Sequence, residues 1–169
     1  VDPLDGTKDY LAENGEFTVN IALIIDGKPT LGVVYAPALN ELYAGIAGLG
    51  AWQLKHEQKT ILNKIKKSKD TCMAVSRFHN LADTNIFSKN NNIFKVVSMG
   101  SALKYARIAL GEIDVYPRLV GSSEWDTAAG QAVLEAVGGS LLDWHTGTPL
   151  VYGKSNRRNG RLLAFRAPY

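Results

Sequence analysis

Beyond Asp70 the sequence alternates between strand-like and helix-like segments, and that alternation restricts the chain to a layered α/β architecture. Residues 71–76 read as a strand, 81–92 as an irregular or helical stretch and 94–98 as a strand. Residues 101–110 read as a helix stopped by Gly111. Strands at 113–116, 140–143 and 162–165 follow, with a helix over 126–137 stopped by Gly138-Gly139. The region before Asp70 has a different texture. Residues 17–25 and 31–35 form a hairpin around the Asp26-Gly27 turn, and 41–45 with 50–54 form a second strand pair. Residues 7–14 read as a short helix ended by Gly15. Lys55, Lys59, Lys64, Lys66, Lys67 and Lys69 read as a solvated loop or helix face between two lobes. The division predicted is 1–70, the remainder of an N-terminal α+β lobe, and 71–169, a C-terminal α/β lobe.

At 169 residues, with 46% hydrophobic and 21% charged residues, the chain can hold a core and is not a disordered one. Its apolar runs are too short to span a bilayer with a helix. A single cysteine, Cys72, excludes an intrachain disulfide framework and fits a reducing compartment. The net charge of +3 favours an anionic partner, with phosphate esters, nucleotides and nucleic acid all open. The first residue is Val1 and a dense motif follows at once, so the N-terminal part of the protein is expected to lie upstream.

That motif is Asp2-Pro3-Leu4-Asp5-Gly6-Thr7. Pro3 pushes Asp2 into extended backbone, and Gly6 permits a tight turn before the helix at Thr7. Two carboxylates beside a helix start suit a hard cation and a phosphate. The same residues suit a plain turn with a helix cap, and on spacing alone the two readings stand even. An EF-hand, a Gly-x4-Gly-Lys-Ser/Thr loop and a dinucleotide fingerprint are all ruled out by missing residues. A second acidic element, Trp125-Asp126-Thr127-Ala128-Ala129-Gly130, opens a helix of small residues. Taken alone, Asp126 reads as a helix cap.

Together the two elements resemble the hallmark motifs of the inositol monophosphatase superfamily, Asp-Pro-Leu/Ile-Asp-Gly-Thr and Trp-Asp-x-Ala-Ala-Gly. Finer features are similar to its 3'(2'),5'-bisphosphate nucleotidase branch of the CysQ type. These are Asp5 to Tyr10, the Ser76-Arg77-Phe78-His79 segment, the Gly100 to Lys104 turn and Tyr116-Pro117-Arg118. The resemblance implies a layered αβαβ(α) sugar-phosphatase fold, incomplete at its N-terminus. It implies two or more Mg²⁺ ions held by Asp2, the Leu4 carbonyl, Asp5 and Asp126. Thr7 would orient the attacking water, and Gly6 and Thr7 would offer amides to the scissile phosphate. Ser101, Lys104 and Arg118 would hold the nucleotide and its other phosphate, with His79 near the base or ribose.

The activity implied is hydrolysis of the 3'-phosphate of 3'-phosphoadenosine 5'-phosphate to AMP and phosphate. The alternatives are an inositol 1-phosphate phosphatase and a non-catalytic nucleotide- or metal-binding fragment. The last arises because the family's Gly-Glu-Glu glutamate belongs to a region before Asp2 that these residues do not contain. The expected partner is a small phosphate ester, a bisphosphorylated adenosine nucleotide, and not nucleic acid. The location implied is cytoplasmic, free or peripherally attached to a membrane. The 156–161 segment reads as a surface turn and Cys72 as a small apolar strand residue.

Overall fold

A computed structural model describes residues 1–63, 70–78 and 81–166. The first elements are β1 (Asp2–Asp5), α1 (Thr7–Leu11), β2 (Thr18–Ile25), β3 (Lys28–Ala36), β4 (Glu41–Ile46), β5 (Gly50–Lys55) and β6 (Gln58–Leu62). They build a six-stranded sheet in sequence order, every neighbouring pair antiparallel. Next come β7 (Cys72–Ser76), α2 (Leu81–Asn90), β8 (Lys95–Met99), α3 (Leu103–Leu110), β9 (Val115–Arg118) and β10 (Ser122–Ser123). A 3-10 turn (Glu124–Asp126), α4 (Ala128–Ala136), β11 (Ser140–Asp143), β12 (Arg158–Asn159) and β13 (Leu162–Phe165) complete the order. The second sheet runs β11-β13-β9-β7-β8, parallel among β7, β8 and β9 and antiparallel at β13.

Helices α3 and α4 lie between the sheets. Val34, Ala36 and Tyr43 of the first sheet share one buried cluster with Tyr105, Ala129 and Val133 of the helices and with Ala74, Leu141 and Leu162 of the second sheet. On the far side of the second sheet, Met73, Val75 and Val115 pack with Phe87 of α2. The described layers are therefore β-α-β-α. On β2, Ile21, Leu23 and Ile25 alternate onto the opposite face of the first sheet, where they are exposed.

α4 sits unusually close to the first sheet because both partners lack bulk. A Cβ on Gly32 would meet the Ala132 Cβ at 2.7 Å, and one on Gly45 would meet the Val133 Cα at 2.5 Å. The run of alanines after Asp126 thus lets the helix lie almost on the strand backbone.

Three expectations need correction. Residues 58–62 of the lysine-rich stretch are not a loop but the edge strand β6. Leu62 points into the core while the Lys59 ammonium lies 4.6 Å over the Trp52 ring, so an edge strand accommodates the charge. Residues 64–69, with the remaining lysines, lie outside the described residues. The 156–161 segment is not a plain surface turn, because it contains β12 with Asn159 buried. The helix foreseen over 126–137 begins as the 3-10 turn, because Ser123 and Asp126 close a capping box ahead of α4.

Candidate metal and phosphate site

The first acidic arm is built on β1, whose residues Asp2 and Asp5 pair opposite Asn20 and Thr18 of β2. Asp2 Oδ1 accepts the Leu4 amide at 3.1 Å, which folds the first carboxylate back over its own strand. Asp5 Oδ2 accepts three donors: the Ala102 amide at 2.6 Å, Asn20 Nδ2 at 3.1 Å and Thr18 Oγ1 at 3.5 Å. Its other oxygen is the one left for a cation. Gly6 then turns the chain at φ 84°, and α1 starts at Thr7, which is exposed. A Cβ on Gly6 would come 3.1 Å from the Ser101 Cβ, so the two turns are in contact.

The second arm is the corner at 122–127. Asp126 Oδ2 accepts the Ser123 amide at 3.0 Å, and the Arg118 guanidinium lies 3.7 Å from the same oxygen. Asn159 staples both ends of the corner. Its Nδ2 donates to Thr127 Oγ1 at 2.9 Å, the Ser123 carbonyl at 3.2 Å and Ser122 Oγ at 3.4 Å. The Tyr152 hydroxyl donates to Gln131 Oε1 at 2.6 Å and reaches Thr127 Oγ1 at 3.1 Å, which ties the corner to α4.

The two arms converge. Among the described residues, one oxygen from each of Asp2, Asp5 and Asp126 lies within 4.8 Å of the others. Burial pushes the Asp5 carboxyl up to about 6; Lys104 opposes that rise, while Asp126 and Asp2 add to it. Asp2 is also raised, by burial and by the neighbouring charge of Asp126. Three half-buried carboxylates held this close are a poor arrangement for metal-free protein. As an all-oxygen donor set they fit a hard divalent cation such as Mg²⁺.

The remaining expected residues divide. Ser101 stands beside Gly6 in left-handed backbone (φ 46°), and its Oγ accepts the Leu103 amide at 3.3 Å. Arg118 is held by Tyr116 and the Gly121 carbonyl, both at 3.5 Å, and flanks Asp126. Lys104 is only 1% exposed. Its ammonium donates to the Met99 carbonyl at 3.1 Å and sits 5.0 Å over the Tyr116 ring, so its charge acts on Asp5 from within. His79 lies outside the described residues. Sequence reasoning missed Thr18, Asn20 and Asn159. The first two had a signal, since they are polar at alternate positions of an otherwise apolar strand; Asn159 had none.

Comparison with known proteins supplies the family. The description "Inositol monophosphatase family" matches residues 1–163. The 3'(2'),5'-bisphosphate nucleotidase CysQ of Escherichia coli K12 is 42% identical over 152 residues, covering 90% of this chain and 61% of that protein. The chain thus spans about three-fifths of the length of such curated relatives. The crystal structure of CysQ from Bacteroides thetaiotaomicron superposes with a TM-score of 0.88 at 34% identity, over 98% of this chain and 68% of that one. The 2'AMP-bound staphylococcal SaIMPase-II superposes at 0.80 with 26% identity, over 98% and 62%. The motifs at Asp2–Thr7 and Trp125–Gly130, their convergence in space and this extent of similarity together make the chain a member of the inositol monophosphatase family.

Proposed function

We propose that this chain belongs to a Mg²⁺-dependent phosphomonoesterase that removes the 3'-phosphate of 3'-phosphoadenosine 5'-phosphate, giving AMP and phosphate. The observation that carries the reading is the convergence of Asp2, Asp5 and Asp126 within 4.8 Å. The relatives named 3'(2'),5'-bisphosphate nucleotidase support the choice of substrate.

In this reading Asp2, the Leu4 carbonyl, Asp5 and Asp126 hold two Mg²⁺ ions. The bound cations supply charge for a phosphate dianion and lower the pKa of the attacking water. The chain's own residues position and balance charge. The donors from Thr18, Asn20 and Ala102 lock the Asp5 carboxylate in one orientation. Buried Lys104 offsets part of the negative charge beneath the site, and Arg118 does so beside Asp126. Gly6 and Thr7 offer amides to the scissile phosphate, Thr7 orients water, and Ser101 and Arg118 face the nucleotide's second phosphate.

Inositol 1-phosphate is the competing substrate, because the staphylococcal relative has been crystallised with inositol monophosphate as well as with 2'AMP. The full-length protein assayed with both esters under Mg²⁺ decides between them. A higher kcat/KM for the bisphosphate is expected. A preference for the inositol ester would transfer the assignment, and no Mg²⁺-dependent phosphate release from either would remove it. Lys104→Met should weaken Mg²⁺ binding more than it raises KM, since its ammonium faces inward.

A further inference from the structure

We propose that Arg77 is a positioning residue of this site: with Glu16 and Asp9 it locks the Gly100–Ala102 turn against Gly6 and so fixes where Asp5 stands. The inference rests on the phosphatase reading given above but stands on contacts of its own. Arg77 follows β7, while residues 100–102 follow β8 on the same carboxyl edge of the second sheet. Glu16 precedes β2 of the first sheet. Arg77 therefore bridges the two sheets beside the cluster.

Its contacts form a closed circuit. Arg77 Nη2 lies 2.6 Å from Glu16 Oε2 and donates to the Ser98 carbonyl at 3.3 Å. The same Glu16 oxygen accepts the Gly100 amide at 2.8 Å. Arg77 Nε stands 3.5 Å from Asp9 Oδ1 as an ion pair without a hydrogen bond, and that oxygen accepts Asn14 Nδ2 at 2.8 Å. Asp9, on α1, is 4% exposed. Its carboxylate presses on Gly100 so closely that a Cβ there would come within 2.5 Å of both its oxygens. One residue on, Ser101 is left-handed and touches Gly6; the next amide, Ala102, donates to Asp5 Oδ2 at 2.6 Å. Two carboxylates from the first sheet's side thus pin alternate amides of one turn, and one of them belongs to the cation cluster.

Arg77 makes this pinning possible. Without a cation, Asp9 and Glu16 would face each other as two poorly solvated like charges, and Glu16 would swing towards water. A guanidinium reaches Asp9, Glu16 and the Ser98 carbonyl at once from a planar fork; an ammonium, as a point charge, reaches one of them well. The turn carrying the Ala102 amide would then loosen, and with it the orientation of Asp5.

The test uses the full-length protein with Arg77→Ala, Arg77→Lys and Glu16→Gln. Read together are amide hydrogen exchange at residues 99–103, Mg²⁺ affinity by calorimetry, kcat and KM for the bisphosphate, and thermal stability. Arg77→Ala is expected to speed exchange at Gly100 and Ala102 and to lower Mg²⁺ affinity and kcat by about 10–100-fold, the range for groups that orient metal ligands. KM should move less. Arg77→Lys is expected to recover the melting temperature but not kcat. Should Arg77→Ala fail to fold, Glu16→Gln carries the same expectations at smaller size. Exchange and Mg²⁺ affinity within twofold of the parent protein would overturn the proposal, as would full recovery of kcat by lysine. A parent protein that released no phosphate would sink the functional reading alone, since exchange and Mg²⁺ titration judge Arg77 without turnover.

Discussion

The two arms of the carboxylate cluster are held by different means. Asp5 is fixed from a distance, by donors on β2 and at the start of α3, and is desolvated enough to titrate near 6. Asp126 is fixed locally, by the amide of Ser123 in its own turn, and the turn itself is then stapled by Asn159 and tied to α4 through Tyr152. The first arm places its carboxylate through the carboxylate's own hydrogen bonds. The second bonds its carboxylate to its own turn and ties that turn down from outside. A cation cluster assembled from the two depends on strand pairing at one end and on a helix entry at the other.

Substitutions can break this contrast, beginning with the largest effect. Asp126→Asn in the full-length protein should lower Mg²⁺ affinity and turnover by more than about a hundredfold, exceeding the range for groups that merely orient ligands. Melting temperature without metal should hardly fall, and calorimetry with a thermal scan checks both. Asn159→Ala comes next. It strips the staple from a buried corner, leaves the Thr127 hydroxyl and the Ser123 carbonyl short of a donor, and should cost about 1–3 kcal/mol of stability. Mg²⁺ affinity should drop about tenfold or more with it, because Asp126 loses its platform. An unchanged affinity would show the corner to be rigid without Asn159.

Acid should act on the other arm. The Asp5 carboxyl, near 6 when folded against 3.8 as the unperturbed value, must release its proton for a cation to bind. Mg²⁺ affinity should therefore hold above pH 6 and fall by about tenfold per pH unit below it. The sign for stability is the reverse of a paired carboxylate. The folded metal-free state binds the Asp5 proton more tightly than the unfolded chain, so Asp5's contribution to stability falls as pH rises from about 4 to about 6, and Mg²⁺ reverses that loss. A denaturation series across that range with and without Mg²⁺ reads this directly. The smallest effect is expected at Arg157, 58% exposed and 3.6 Å from Glu124: Arg157→Ala should change stability by less than about 1 kcal/mol and leave cation binding alone.

Much of the first arm was legible in the sequence. Pro3 pushes Asp2 into extended backbone and Gly6 permits a tight turn, and the structure has Asp2 on β1 and Gly6 in left-handed backbone. The hairpin at β2–β3 follows from Asp26-Gly27, and α3 stops at Gly111 in left-handed backbone. The second arm was legible as a motif but not as a construction, because the residues that hold it come from the far end of the chain and carry no local pattern. Lys104 illustrates the limit. Periodicity puts a lysine on a helix, yet only tertiary packing buries it, in reach of the Met99 carbonyl and the Tyr116 ring. The lysine-rich stretch errs in the opposite sense: charge alone suggested a solvated connection, while pairing to β5 makes part of it a strand.

If the carboxylate cluster holds Mg²⁺ as proposed above, the contact of α4 with Gly32 and Gly45 would bear on which ion fits it best. Asp126 lies in the turn that leads into that helix, so a shift of α4 on the strands would be expected to move its carboxylate relative to those of β1. A methyl on Gly32 would wedge the helix upward and widen the aperture. Oxygen donors that close around Mg²⁺ at about 2.1 Å would then better suit Ca²⁺ at about 2.3–2.6 Å. Gly32→Ala, remote in sequence from every acidic ligand, should tilt the ratio of Mg²⁺ to Ca²⁺ affinity towards the larger ion. An unaltered ratio would mean that the floor and the aperture move independently.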